Sequence, residues 1–206
     1  MKAPAPVETR AGLPILGFAT AAAFENWLAR QPAGSPGLWL KLAKRHAGVP
    51  CVGKQPAIEA ALCHGWIDGQ LNPYDEHHWL IRFTPRSAKS RWSEINRGTA
   101  LRLMAEGRMA AAGLAQVEAA RADGRWDAAY APQSKATVPP DLQAALDASP
   151  EAKRFFDQLG GANRYAVLYR IQDARTESTR ARRIEKFVAM LERHELVHPG
   201  DRKTPG

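Results

Sequence analysis

The sequence predicts an α+β protein, with a small N-terminal sheet and flanking helices followed by an all-helical C-terminal unit. Three observations predict it. Segments 38–42 and 77–84 alternate apolar and polar residues at the strand period of two. From Trp92 onward the chain reads as short capped helices. Near the end, Ile184, Phe187, Val188 and Leu191 fall at i, i+3, i+4 and i+7, the apolar stripe of a packed helix.

Element by element, residues 1–19 are rich in Ala and Pro and read as a flexible lead-in. Thr20 is an N-cap for a helix reaching about Gln31, with Phe24, Trp27 and Leu28 on one side. After a Pro/Gly loop, strand 38–42 puts Leu38, Leu40 and Leu42 on one face and Trp39 and Lys41 on the other. A helix over 56–64 points Ile58, Ala61 and Leu62 inward and stops at Gly65. Residues 66–70 are a short strand or turn, and 71–76 turn the chain. Strand 77–84 follows, with Trp79, Ile81 and Phe83 facing one way and His78, Leu80, Arg82 and Thr84 the other; Pro85 stops it. Ser93 caps a helix to about Gly107, and Leu114, Val117 and Ala120 mark the next, to Gly124. Residues 125–137 are linker-like, yet Trp126 and Tyr130 tie them down. Pro140-Asp141, Ser149-Pro150-Glu151 and Gly160-Gly161 open three further helices. The expected divisions are an α+β unit over 20–132, a helical unit over 138–195 and a flexible tail over 196–206.

A chain of 206 residues with 45% apolar and 24% charged residues has ordinary globular values. Net charge is +8, which favours acidic partners, nucleic acid or anionic lipid without selecting one. The basic residues are spread out: 16 against 11 acidic over 1–132, and 13 against 10 over 133–206. Cys51 and Cys63 have neither disulfide-framework nor zinc-ligand spacing, which fits a reducing compartment. No apolar run reaches the ~18 residues of a membrane span, and residues 1–17 lack a signal-peptide core. The expected location is the cytoplasm, without membrane insertion.

Several segments carry a resemblance. They are Ala61-Leu62-Cys63-His64-Gly65-Trp66-Ile67-Asp68-Gly69-Gln70, Arg82-Phe83-Thr84-Pro85-Arg86, Trp92-Ser93-Glu94-Ile95-Asn96, Asn163-Arg164-Tyr165 and Ala181-Arg182-Arg183-Ile184-Glu185-Lys186. Their order and spacing resemble the YdeI/OmpD-associated (bacteriocin-protection) family from about residue 18 to 194. The resemblance implies an α+β N-terminal unit, a helical C-terminal unit and a link to envelope stress and tolerance of bacteriocins or antimicrobial peptides. It implies no reaction. His64 stands where an aromatic residue is more usual in that family.

Four constellations carry chemistry. Trp66, Asp68 and Gln70, with Arg82, Thr84 and Arg86, make either a polar pocket for a small anionic or planar ligand or an ion pair that fixes the turn at Gly69. Trp92 and Asn96 extend this candidate ligand-binding set. Asp68 is expected within ion-pair reach of Arg82 or Arg86, because a carboxylate emerging beside the core is costly unpaired. The run Arg82, Arg86, Lys89, Arg91 and Arg97, with Phe83 and Trp92, has the mix that clamps phosphate and stacks bases, though nucleic acid is not the favoured partner. Arg175, Arg180, Arg182, Arg183 and Lys186 read as a solvated outer helix face, or else as a docking surface for an acidic protein. His194-Glu195-Leu196-Val197-His198 matches HExxH, but Pro199-Gly200 follows at once, so a frayed helix end is expected and no metal. There is no GxSxG, P-loop or GxGxxG. Cys63 and His64 are adjacent on a helix and point about 100° apart, too far to form a nucleophile pair.

The sequence thus favours a cytoplasmic, non-enzymatic stress- or bacteriocin-tolerance protein with a pocket or docking face near 66–96 and no cofactor. Two alternatives stand beside it: an enzyme using the Asp68 region, and a nucleic-acid-associated regulator using 82–97.

Overall fold

The computed structural model of the chain describes residues 7–174 and 176–199. Residues 1–6 of the expected lead-in, Arg175 of the last basic run and residues 200–206 of the expected tail lie outside them. The chain divides into two compact units, Met1–Ala129 and Tyr130–Gly206. The architecture is α+β: a five-stranded sheet with helices in the first unit and helices alone in the second, among the described residues.

The sheet begins inside the expected flexible lead-in. Strands β1 (Thr9–Arg10) and β2 (Leu13–Gly17) form a tight hairpin around Ala11-Gly12, both at positive φ. A five-residue strand of mixed Leu, Pro, Ile and Gly gives little local signal. It becomes a strand because β3 (Leu38–Ala43) offers a parallel edge, pairing Ile15 with Trp39 and Gly17 with Lys41. Helix α1 (Ala21–Leu28) crosses between them, capped by Thr20, whose hydroxyl accepts the Ala23 N–H at 3.2 Å. Helix α2 (Lys54–Cys63) ends where Gly65 takes φ +76°, a value that costs an L side chain its Cβ clearance.

Strand β4 (Trp66–Pro73) is longer than expected: residues 71–73, read as turn, stay in the ladder. The true turn lies over 74–77, where Asp75 Oδ1 accepts the His77 and His78 N–H groups at 2.8 and 2.6 Å. Strand β5 (His78–Pro85) then runs between β3 and β4, giving the order β1-β2-β3-β5-β4. Leu38, Leu40, Leu42, Ile81, Phe83 and Trp66 face α1 and α2 and build the main core with Phe24, Leu28 and Ala57. Each such apolar side chain contributes about 1.5–3 kcal/mol on burial. Helices α3 (Glu94–Ala105) and α4 (Ala111–Ala122) add a second cluster around Trp92, Leu103, Val117 and Trp126.

In the second unit, α5 (Pro140–Asp147), α6 (Pro150–Gln158), α7 (Gly161–Gln172) and α8 (Glu177–Glu192) pack around Leu142, Phe156, Ile171, Ile184, Phe187 and Leu191. The apolar stripe read from the last helix is the one it buries. The expected flexible tail is fastened at its start. Val197 packs on this core, and buried Asn163 holds the His198 backbone at both ends, accepting its N–H at 2.8 Å and donating to its carbonyl at 3.3 Å.

Candidate functional site

Strand alternation separates the residues that the sequence groups together. Trp66 lies in the core, 4% exposed, with its ring edge-on to Trp27 at 5.7 Å. Asp68 pairs in register with Phe83 and so sits on the helix-covered side of the sheet. Arg82 pairs with Trp39 and points to the opposite side. The expected ion pair from Asp68 to Arg82 or Arg86 does not form: among the described residues Asp68 has no ion pair within 4.0 Å. The cost argument fails as well, because Asp68 is only half-buried on an edge strand, where water solvates the carboxylate.

Arg86 goes elsewhere. Its N–H donates to the Gly65 carbonyl at 2.9 Å, which turns the chain inward after Pro85. The side chain is 6% exposed, lies 3.7 Å over the Trp92 ring and donates to the Arg91 carbonyl at 3.2 Å. Trp92 meets Trp126 edge to face at 4.9 Å, and Arg121 covers Trp126 at 5.2 Å. Around this stack, Ser93 caps α3 by accepting the Asn96 N–H at 3.0 Å, and Arg97 donates to the Trp126 carbonyl at 3.1 Å. Arg125 donates to the Ser90 carbonyl at 3.0 Å. This alternating Arg–Trp stack closes the 86–92 loop over the α3–α4 cluster. With Trp92 1% and Phe83 0% exposed, neither ring is available to stack on a base.

The other face of the sheet is partly covered: Trp39 and Leu80 are buried there with Leu13, and Ile15 and Tyr74 pack against them. A β-bulge between Asp68 and Leu71 sets Gly69 and Gln70 against Arg82, and Ile67 lies opposite Thr84. Gln70, Arg82 and Thr84 therefore share this face with Trp39 and Lys41. Arg82 is half-buried, and its Nε is buried with no hydrogen-bond partner among the described residues. Lys41 lies 5.6 Å over Tyr74, and Arg10 lies 5.6 Å over Trp39. The nearby acid, Glu8, is engaged by the Tyr74 hydroxyl, and that hydrogen bond raises the phenol above its ordinary range. The face is thus basic and partly desolvated. Sequence reading missed Arg10, Lys41 and Tyr74 as members. The period-two pattern of Trp39 and Lys41 carried their side of the sheet, but nothing local carried the pairing of β2 and β5 onto β3.

Two other motifs resolve differently. The HExxH segment is not a helix: α8 ends at Glu192, and His194 takes φ +55°. Backbone bonds from His194 to Leu191 and from Glu195 to Met190 form a Schellman-type terminus. His194 instead contacts Glu151 at 2.6 Å and stacks on Phe155 at 4.7 Å, so the two histidines share no helical face. In the last basic run, Arg180 pairs with Asp141 and Arg183 with Asp173, while Arg182 and Lys186 are exposed. Cys63 is fully buried, and burial pushes its thiol up, away from nucleophilic use.

Compared with known families, residues 135–194 match the family described as bacteriocin-protection, YdeI or OmpD-associated. The C-terminal unit is similar to this family over that stretch. The matched stretch runs from the turn before α5 through the end of α8. Residues 16–116 match a different family, described as a domain of unknown function (DUF8412). Gln70, Arg82, Thr84 and the segments at 61–96 therefore fall in that second match, so the named family covers less of the chain than the resemblance implies. No curated protein and no solved structure matches the chain. No helix among the described residues is long and apolar enough to cross a membrane.

Proposed function

We propose that the chain is a bacteriocin-protection-type protein that acts by binding rather than by catalysis, and that the polar side chains on the sheet face turned away from α1 and α2 bind an acidic partner. The YdeI/OmpD-associated match over 135–194 supports the first part. The observation that carries the second is Arg82: a half-buried guanidinium whose Nε lacks a partner among the described residues, set beside Lys41 and Arg10. Because the Nε is itself buried, a carboxylate would engage Arg82 through the outer end of its guanidinium, by a charge-assisted hydrogen bond. Of the residues expected near 66–96, this reading keeps Gln70, Arg82 and Thr84 as the binding set and leaves Trp66, Arg86 and Trp92 to structure. Asp68, on the helix-covered side of the sheet, and Asn96, in the first turn of α3, fall outside it. Free Cys51 and Cys63 support a reducing, cytoplasmic setting.

The test uses Arg82→Ala and Arg82→Lys. Purified proteins are titrated with a hexaglutamate peptide at low and moderate salt, and cells carrying each variant are challenged with a bacteriocin. Arg82→Ala should lose peptide binding and protection while its unfolding midpoint stays within about 0.5 kcal/mol of the parent. Arg82→Lys should retain part of both, because it keeps the charge but not the fork of donors. Full protection by a folded Arg82→Ala protein would end this reading.

A further inference from the structure

The C-terminal unit contains a groove of about 190 Å³ with no carboxylate in its lining. Its walls include Lys135, Thr137, Tyr165, Tyr169, Gln172 and Arg180. One wall is the segment before α5, and it is fixed at two points. The Tyr165 hydroxyl donates to the Ala131 carbonyl at 3.0 Å. The Gln133 side chain lies against Gly161, at a spot where any Cβ would collide with its amide. The opposite wall is α7, which presents Tyr165 and Tyr169 with ring centroids 5.9 Å apart.

The charges in this groove are unequal in availability. Arg180 is held by Asp141, to which its Nη2 donates at 2.8 Å, and it also donates to the Ile171 carbonyl at 3.2 Å. The exposed Lys135 side chain makes neither a hydrogen bond nor an ion pair among the described residues. One positive charge is therefore uncompensated, which suits a monoanion. Two tyrosine rings with the Gln172 amide and Thr137 hydroxyl suit a flat apolar body with a polar end. The volume is below the ~300–1,000 Å³ of drug-sized sites, which limits the ligand to a single ring.

We propose that this groove is a binding site for a small carboxylate carrying one flat ring, with Lys135 as the carboxylate's counter-ion. The site is independent of the sheet face in the first unit. The ring lies against Tyr165 and Tyr169, and the carboxylate reaches Lys135 at the mouth. A ring acid of this kind is either a free metabolite or the last residue of a peptide chain.

The experiment titrates the ¹⁵N-labelled full chain with benzoate and with benzamide, its neutral counterpart of similar shape. Benzoate should give saturable shifts confined to amides over 135–138 and 165–172, and benzamide should bind about tenfold more weakly. Lys135→Ala should reduce benzoate to the benzamide level with the rest of the spectrum unchanged, and Lys135→Arg should restore the preference. N-acetylphenylalanine separates the sources: binding as tight as benzoate assigns the acid to a chain terminus, and weaker binding assigns it to a free metabolite. Shifts that do not saturate, shifts outside these segments, or a benzoate preference that survives Lys135→Ala would overturn the proposal.

Discussion

Arg82 and Arg86 stand four residues apart, yet they serve different ends, because one lies in a strand and the other follows its terminating proline. Arg82 keeps the alternation of β5 and faces the side of the sheet away from α1 and α2. Arg86 is turned into the protein by its backbone bond to Gly65 and lies on Trp92. Removal of a fully packed indole leaves a large void, so Trp92→Ala should destabilise the first unit by about 3–5 kcal/mol in urea unfolding followed by tryptophan emission. A loss below about 1 kcal/mol would mean that the loop relaxes without it. Asp68→Asn is the contrasting case. With no ion pair to lose, it should change stability by no more than about 0.5 kcal/mol in the same measurement. A larger loss would restore a structural partner to that carboxylate.

Among the elements, α8 shows how local pattern and local termination divide the work. Its stripe buries Ile184, Phe187 and Leu191 against α5, α6 and α7. Phe187 is 6% exposed, and Phe187→Ala should lower the stability of the helical unit by about 3–5 kcal/mol, read by far-UV circular dichroism in urea. An unchanged midpoint would place the helix outside the core. The start of α5 is tied to α8 by Asp141 and Arg180, and the hydrogen bonds from Arg180 hold the Asp141 carboxyl below its usual range. A carboxyl depressed on folding stabilises the fold above its unfolded value of about 3.9, and that contribution disappears as pH falls through the lower folded value. Asp141→Asn should therefore lower the midpoint at pH 7 by a modest amount, under about 1 kcal/mol for a pair this exposed, and leave it unchanged near pH 2. An equal deficit at both pH values would show that the pairing is not the cause.

At the scale of the whole molecule, two units each carry their own core, and the aromatic residues label them separately. All six tryptophans lie at or before Trp126, in the first unit, whereas Tyr130, Tyr165 and Tyr169 lie in the second. Tryptophan emission therefore reports the sheet unit alone. In Phe187→Ala, heating should reduce helical circular dichroism at a lower temperature than it shifts tryptophan emission. Coincident transitions in that variant would mean that the units unfold as one cooperative block.

The sequence by itself determined the class and most of the elements. The period-two run of Leu38, Leu40 and Leu42, the caps at Thr20, Ser93 and Ser149, the stop at Gly65 and the stripe of α8 are local signals, and local backbone chemistry obeys them. Tertiary structure decided what lies beside what. Strands β1 and β2 exist because β3 gives them an edge, and the short run 7–17 has no pattern strong enough to announce them alone. The bulge in β4 and the register of β5 put Asp68 and Arg82 on opposite faces, which their spacing along the chain cannot convey. The left-handed turn at His194 dissolves a motif that reads as complete on paper. The groove at Lys135 joins a linker to α7 across about thirty residues of sequence. In each case the deciding quantity is a long-range pairing or packing free energy, which depends on residues distant in the chain and so leaves no trace in any short window of it.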